Sequence, residues 1–424
     1  MSRALALIDG EHYAPVVRDA LRELSHDVAG AMLVGGTEKL RGDDDYGVPV
    51  VTELEEALER FDPEVAVDLS DEPVLGPRER FRLASAFLAR GIAYEGSDFS
   101  LRPPAFEPFE RPSLAVIGTG KRMGKTAVTG YAARLLAEEH DLVVVSMGRG
   151  GPAEPQVADV SPTVEDLLEL SRGGAHAASD YLETAALARV PTIGCRRAGG
   201  GLAGATWSTN VSAGMQKALE RDPELVVFDG SGAAIPPVEA DARVLVAGAH
   251  QPPELVTGYL NAYRILISDL VVLTMAEEGT DHRALADAIR EVKDVPVVAT
   301  VLRPRPVADI EGKRVAFFTT ADPGAAELLE RHLLEEHGAS EVTVSSNLSK
   351  RDELRKDLER TDADVYLVEI KAAAIDVVCE GASENGTEVV FADNDVVALD
   401  GGPSLDDALR ELAAAAVARA GAVA

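Results

Sequence analysis

Short apolar runs rich in Val, Leu, Ile and Ala recur along the chain and tend to end in Gly, Asp, Ser or Thr. Between most of them lie stretches with apolar residues at helical spacing. Strands that alternate with helices in this way predict βα units and a mainly parallel sheet. The first strands expected are Ala4–Ile8, Ala31–Val34, Val65–Leu69 and Ile92–Tyr94, with helices over Ala14–Leu24, Glu53–Glu59 and Pro77–Arg90. A proline-rich stretch, Leu101–Pro112, reads as a linker. Seven more strands follow at Leu114–Ile117, Leu142–Ser146, Thr192–Cys195, Leu225–Phe228, Val244–Ala247, Leu270–Leu273 and Val297–Val301. They predict a doubly wound parallel sheet. After residue 302 come strands at Arg314–Thr319, Glu341–Ser345, Val365–Glu369 and Glu388–Phe391, and helices at Gly324–Glu336, Lys350–Arg360 and Leu405–Arg419. The expectation is an α/β chain in three parts: residues 1–110 including the linker, 111–302, and 303–424.

Composition narrows the class. A chain of 424 residues can bury a large core, and with 46% apolar but only 4% aromatic residues it suits parallel strands under helices. No apolar run reaches the roughly 20 residues that span a bilayer. The start, Met1 to Asp9, reaches an acid too early for a secretory signal and reads as a first strand. Two cysteines, Cys195 and Cys379, argue against a disulfide scaffold, so a reducing cytoplasm is the expected setting. The formal net charge of −31 argues against nucleic acid or an anionic membrane as a partner.

Where that charge is missing says more. No Asp or Glu occurs over residues 184–219, 36 positions, or over Arg111–Ala137 or Leu142–Ala153. Those three stretches hold Lys121, Arg122, Lys125, Arg149, Arg196 and Arg197. An acidic chain that keeps acids out of three separate stretches is expected to converge them on a highly anionic ligand.

The stretch Ser113–Ala127 supplies a chemical reason. An apolar run enters a glycine-rich loop, Gly118-Thr119-Gly120-Lys121-Arg122-Met123-Gly124-Lys125-Thr126, which leads into a helical pattern from Ala127. This strand–loop–helix context marks a phosphate-binding loop, because glycines let backbone N–H groups face phosphate oxygens at a helix N-terminus. Lys125 can reach the β- and γ-phosphates, and the Thr126 hydroxyl can ligate Mg²⁺. The loop is one residue longer than the commonest form. It resembles that of dethiobiotin synthetase and its relatives, in the branch that holds MinD-like ATPases. ATP and Mg²⁺ are therefore the expected cofactors, and 111–302 the nucleotide-binding and catalytic part.

Further residues fall at predicted strand ends. Asp229, closing Leu225-Val-Val-Phe-Asp229-Gly-Ser-Gly232, fits the second acid of such proteins, which holds Mg²⁺ directly or through water. The loop after Val143–Ser146 offers Arg149 as a phosphate clamp and Glu154 as a metal ligand. A second glycine-rich loop, Gly194 to Asn210, carries Arg196, Arg197 and Gly200, and its paired arginines can grip phosphate or carboxylate. His250 can donate to the same ligand. Beside two arginines, Cys195 is expected to have a lowered pKa. Lesser candidates are Asp9-Gly-Glu-His12, Gly35-Gly-Thr-Glu38-Lys39, Asp68 to Glu72, Glu369-Ile-Lys371 and Asp393-Asn-Asp395.

Taken together, Leu7-Ile-Asp-Gly-Glu-His12-Tyr, the phosphate loop, Met147-Gly-Arg-Gly-Gly-Pro152, Phe228-Asp-Gly-Ser-Gly232 and Glu369-Ile-Lys-Ala-Ala-Ala374 resemble the cyclic 2,3-diphosphoglycerate synthetase family over the whole chain. That resemblance implies an ATP-dependent ligase that closes 2,3-diphosphoglycerate into its cyclic phosphoanhydride, and it implies a homodimer. Lys125, Lys121, Arg122 and Arg149 would then act at the transferring phosphate. Two other readings stay open at this point: a 2-phosphoglycerate kinase, and a nucleotide switch of the MinD kind.

Overall fold

The computed structural model describes residues 1–37, 40, 45–159, 161–173, 179–371 and 374–423. Glu38, Lys39, Ala372 and Ala373 of the motifs above lie outside the described residues. By contacts the chain forms two compact units. One holds residues 1–105, 251–267 and 287–294, and the other holds 106–250, 268–286 and 295–424.

The first unit is built on a six-stranded sheet. Its strands are β1 (Arg3–Ile8), β2 (Asp27–Leu33), β3 (Val50–Val51), β4 (Val65–Asp68), β5 (Ala93–Gly96) and β6 (Phe99–Leu101), in the order β3-β2-β1-β4-β5-β6. All pairs are parallel except β5–β6. The short rim strands β3 and β6 carry too few residues to show a period. β2 begins four residues before the expected run because Asp27 pairs with Arg3, and Gly30 leaves room for the Phe61 ring. The acids at the sheet's carboxyl edge are committed to holding loops. Asp9 accepts from the N–H groups of Glu11, His12 and Asp71 and meets His12 Nδ1 at 2.8 Å. Asp68 accepts from Ser70, Arg80 and Tyr94.

The second unit carries a 13-stranded sheet. Its strands are β7 (Ser113–Gly118), β8 (Leu142–Gly148), β9 (Gln156–Ala158), β10 (Thr192–Ala198), β11 (Ser208–Thr209), β12 (Leu225–Asp229), β13 (Ala242–Gly248), β14 (Leu270–Thr274), β15 (Val297–Pro306), β16 (Arg314–Phe318), β17 (Glu341–Ser345), β18 (Val365–Glu369) and β19 (Glu388–Ala398). The path is β11-β10-β8-β12-β7-β13-β14-β15-β19-β18-β16-β17, with β9 beside β10. From β10 through β15 the ladder is parallel, the doubly wound sheet that the spacing predicts. β15 runs five residues past its expected end and pairs antiparallel with β19, from Thr300 opposite Ala398 to Pro306 opposite Ala392. Position 302 thus falls inside a strand, and residues 303–424 continue the same sheet.

Helix Lys125–Leu136 packs on the β7–β12–β8 face, where Val128, Ala132 and Leu136 join Leu114, Val144 and Val227. The same core takes in Val396 of β19 and Leu405, Leu409, Ala413 and Ala416 of the closing helix Leu405–Val423. Arg134 of the first of these helices pairs with Asp393 and Asp395, and Arg305 of β15 pairs with both as well. The Asp393–Asp395 segment, a candidate site by sequence, is therefore a structural tie. Among the described residues no helix is long and apolar enough to cross a membrane.

Candidate active site

The phosphate loop lies at the carboxyl end of β7, between β12 and β13. Gly124 takes φ +73° as the residue before helix Lys125–Leu136. A Cβ there would lie 3.0 Å from Leu302 Cδ1 and 3.2 Å from Thr274 Cγ2, so both the backbone angle and the space call for glycine. Thr119 N donates to Val246 O at 3.1 Å and Thr274 Oγ1 donates to Met123 O at 2.7 Å, which pins the loop from the β13–β14 side. The first turn of the helix contains no acid, so its positive end stays open to an anion.

Lys125 is 8% exposed and turns onto Asp229, which is fully buried. Thr129 Oγ1 also donates to Asp229 Oδ1, at 2.7 Å. Burial raises the Asp229 carboxyl above its ordinary range, against the pull of Lys125. Its second oxygen, Oδ2, has no hydrogen-bond partner. The lysine expected to meet phosphate is thus held by the acid expected to hold the metal. A buried carboxylate oxygen without a partner is the kind of ligand a hard divalent cation takes together with phosphate oxygens. Among the described residues no group of three His, Cys, Asp or Glu could hold a metal by itself.

The acid-free stretches do converge. A Cβ on Gly232 would lie 3.6 Å from Lys121 Cγ and 3.8 Å from Arg197 Nη2, so the stem of a lysine from the phosphate loop and the guanidinium of an arginine from the second glycine loop meet at a single glycine. Arg197 is fixed there by bonds to Ser231 O at 2.8 Å and Gly199 O at 2.6 Å. Burial lowers its pKa, and the nearby charge of Arg149 lowers it further. Lys121, Arg122, Arg149 and Arg196 are exposed and form no ion pair among the described residues. In so acidic a chain, cations left without a carboxylate partner are available to an anion.

Several candidates stand elsewhere than the sequence reading placed them. Arg196 and Arg197 are consecutive residues of β10, which stays extended through both, so their side chains leave opposite faces. The pair is therefore not a joint grip, and Arg197 alone reaches Ser231. Gly200 is exposed in the loop beyond, within reach of the Arg197 guanidinium. His250 packs over Gly248 beside Met123, on the β13 flank of the phosphate loop rather than with Arg197. Glu154 is exposed on the loop after β8 and carries no hydrogen bond or ion pair among the described residues. The expectation for Cys195 is overturned. Its thiol is buried against Gly214, and burial pushes its pKa up to about 12. Glu369 is taken up by Thr319 and Thr320, and Lys371 pairs with Glu183 at 3.2 Å.

Ser231 lies within the Asp229–Gly232 turn, where the sequence marks no role of its own for it, and Thr274, the last residue of β14, carries no motif; both position the site. Asp180, first residue of helix Asp180–Ala188, also reaches it: its carboxylate lies over Gly148, and its charge is felt at both Asp229 and Arg197.

Comparison with known proteins covers the same ground. Models of the cyclic 2,3-diphosphoglycerate synthetase N-terminal, P-loop and C-terminal domains match residues 3–102, 113–303 and 306–395. The cyclic 2,3-diphosphoglycerate synthetase of Rubrobacter xylanophilus is 54% identical, covering 98% of each chain. That of Methanothermobacter thermautotrophicus is 41% identical, over 98% of this chain and 96% of its own. Among solved structures, LpxK from Aquifex aeolicus covers 73% of this chain and 90% of its own at 15% identity and a TM-score of 0.42, a likeness too loose to argue from. The phosphate loop, its buried acid and the full-length match agree: the chain belongs to the cyclic 2,3-diphosphoglycerate synthetase family.

Proposed function

We propose that this chain closes 2,3-diphosphoglycerate into its cyclic phosphoanhydride at the expense of ATP. The observation that carries the reading is the meeting of Lys121 and Arg197 over Gly232, next to the Lys125–Asp229 pair. A triphosphate seated in the loop and a bisphosphate beside it would share that ground. The names of the full-length relatives supply the substrate, and nothing in the geometry favours the kinase or switch readings.

Lys125 would leave Asp229 for the nucleotide's phosphates. Lys121, Arg122 and Arg149, exposed and without an ion pair among the described residues, would neutralise charge on the transferring group. The bond between the β–γ bridging oxygen and the γ-phosphorus breaks, and a substrate phosphate oxygen takes that phosphorus. The neighbouring substrate phosphate then attacks the activated one, and inorganic phosphate leaves. Both nucleophiles are already ionised, so no general base is needed, and Arg197 with Arg149 holds the substrate so that ring closure is effectively unimolecular. Arg196, Gly200 and His250 are outer contacts in this reading. Thr126 and Asp229, with Glu154 from the β8 exit loop, would hold Mg²⁺, which lends positive charge at the β- and γ-phosphates. A homodimer and a cytoplasmic setting belong to the same proposal.

The test is ³¹P NMR of the protein with ATP, Mg²⁺ and 2,3-diphosphoglycerate. A cyclic phosphoanhydride should grow in step with ADP and be absent with Lys125→Ala. ATP turnover that ignores the phosphoglycerate would overturn the reading.

A further inference from the structure

On the face of the sheet that carries helix Lys125–Leu136, β8 presents Val144, Ser146 and Gly148 in succession. Ser146 lies directly opposite Asp229 of β12. Its hydroxyl is buried, at 1% exposure, and has no hydrogen-bond partner. One step along, Gly148 has no side chain, and the Asp180 carboxylate takes the space: a Cβ on Gly148 would lie 3.0 Å from Asp180 Oδ2. Just before Asp180 stands Ser179, which precedes the helix yet makes no capping bond, and whose buried hydroxyl is also without a partner.

Three buried oxygens in this corner, Asp229 Oδ2, Ser146 Oγ and Ser179 Oγ, thus lack partners, with a second carboxylate alongside. Orphaned buried polar atoms cost stability unless something absent from the protein satisfies them. An acid in the first turn is favoured by the helix dipole alone. The dipole does not account for two unused hydroxyls and a half-used carboxylate. Oxygen atoms of this kind, contributed by two acids and a hydroxyl, suit a hard divalent cation that takes its remaining ligands from phosphate and water.

We propose that Asp180 is a further metal-holding residue, acting with Ser146 and Asp229 on the side of Asp229 away from Lys125. The inference rests on the nucleotide-site reading above. It assigns to the start of helix Asp180–Ala188 a task that no residue pattern marks, since Ser-Asp before a helix reads as an ordinary start.

The test uses the full chain and Mn²⁺ as probe. Binding of a fluorescent methylanthraniloyl ADP is followed as Mn²⁺ is raised, and the Mn²⁺ midpoint is recorded. Asp180→Asn should raise the midpoint at least tenfold while reaching the same plateau at high Mn²⁺. Ser146→Ala should raise it severalfold, with a melting temperature unchanged or higher, because the hydroxyl it removes is unsatisfied in the fold. The Ser146 variant keeps the proposal open to refutation should Asp180→Asn fold poorly. Wild-type midpoints in both variants would overturn the assignment of Asp180 and leave the nucleotide site standing. A wild-type chain that binds no nucleotide at any Mn²⁺ concentration would bring down both.

Discussion

Lys125 and Asp229 show how one buried pair prepares a site. Each lacks water, so each is tolerable only because the other is present, and under the proposed function a phosphate and a cation would replace the pairing. Two predictions belong to single residues elsewhere. Cys195 and Cys379 are buried with thiols pushed up to about 12, so an aromatic disulfide reagent at pH 8 should modify neither thiol of the native chain and both after denaturation. Asp9 is held below the ordinary carboxylate value of 3.8: burial opposes this, but the bonds from His12 and Asp71 prevail. A lowered folded pKa gives stability that is present above 3.8 and is lost as pH falls through the folded value. Asp9→Asn should therefore cost about 1–3 kcal/mol at pH 7 and progressively less as pH falls below 3.8, measured by denaturation of the unit that contains it.

At the scale of elements, the site is made by loops that leave adjacent parallel strands, each held by a bond the sequence does not advertise. Thr274, at the end of β14, fixes the phosphate loop through Met123 O. Thr274→Val should weaken nucleotide binding about tenfold, because the part-buried Met123 carbonyl loses its donor; calorimetric titration with ADP checks it. The loop after β8 is pressed onto β10 so closely that a Cβ on Gly151 would lie 2.0 Å from Cys195 O. Gly151→Ala must shift the segment that presents Arg149. Its kcat/KM should fall by tenfold or more with the fold intact by circular dichroism. The strand positions within the doubly wound part were legible because buried parallel strands read as apolar runs; their order was not, since it depends on which strands pair in the fold. The face each arginine leaves from was not, since Arg196 and Arg197 diverge only because β10 remains extended past its partner β8.

At the scale of the whole molecule, residues 303–424 do not stand apart from the nucleotide-binding part. β19 extends its sheet, and the closing helix covers the core that helix Lys125–Leu136 also covers. Residues 106–302 expressed alone should be insoluble or unfolded, because β15 would become a bare edge and the apolar surface under Leu405, Leu409 and Ala413 would be exposed. Arg134→Met would leave buried Asp393 without one of its two arginines and should destabilise this unit by about 3–5 kcal/mol, read from its thermal transition.

The sequence by itself determined the longer strands, the phosphate loop and the acid that closes β12, and through the resemblance of its motifs the family. The first three rest on local spacing: apolar runs of strand length, glycines before a helix, and an acid at a strand end. Tertiary structure alone decided the pairing of β15 with β19, the meeting of Lys121 with Arg197, the burial that disarms Cys195, and the arrival of Asp180 over Gly148. Those facts depend on which strands lie side by side and which atoms lose water, and residues far apart in the chain acquire such relations only when it folds.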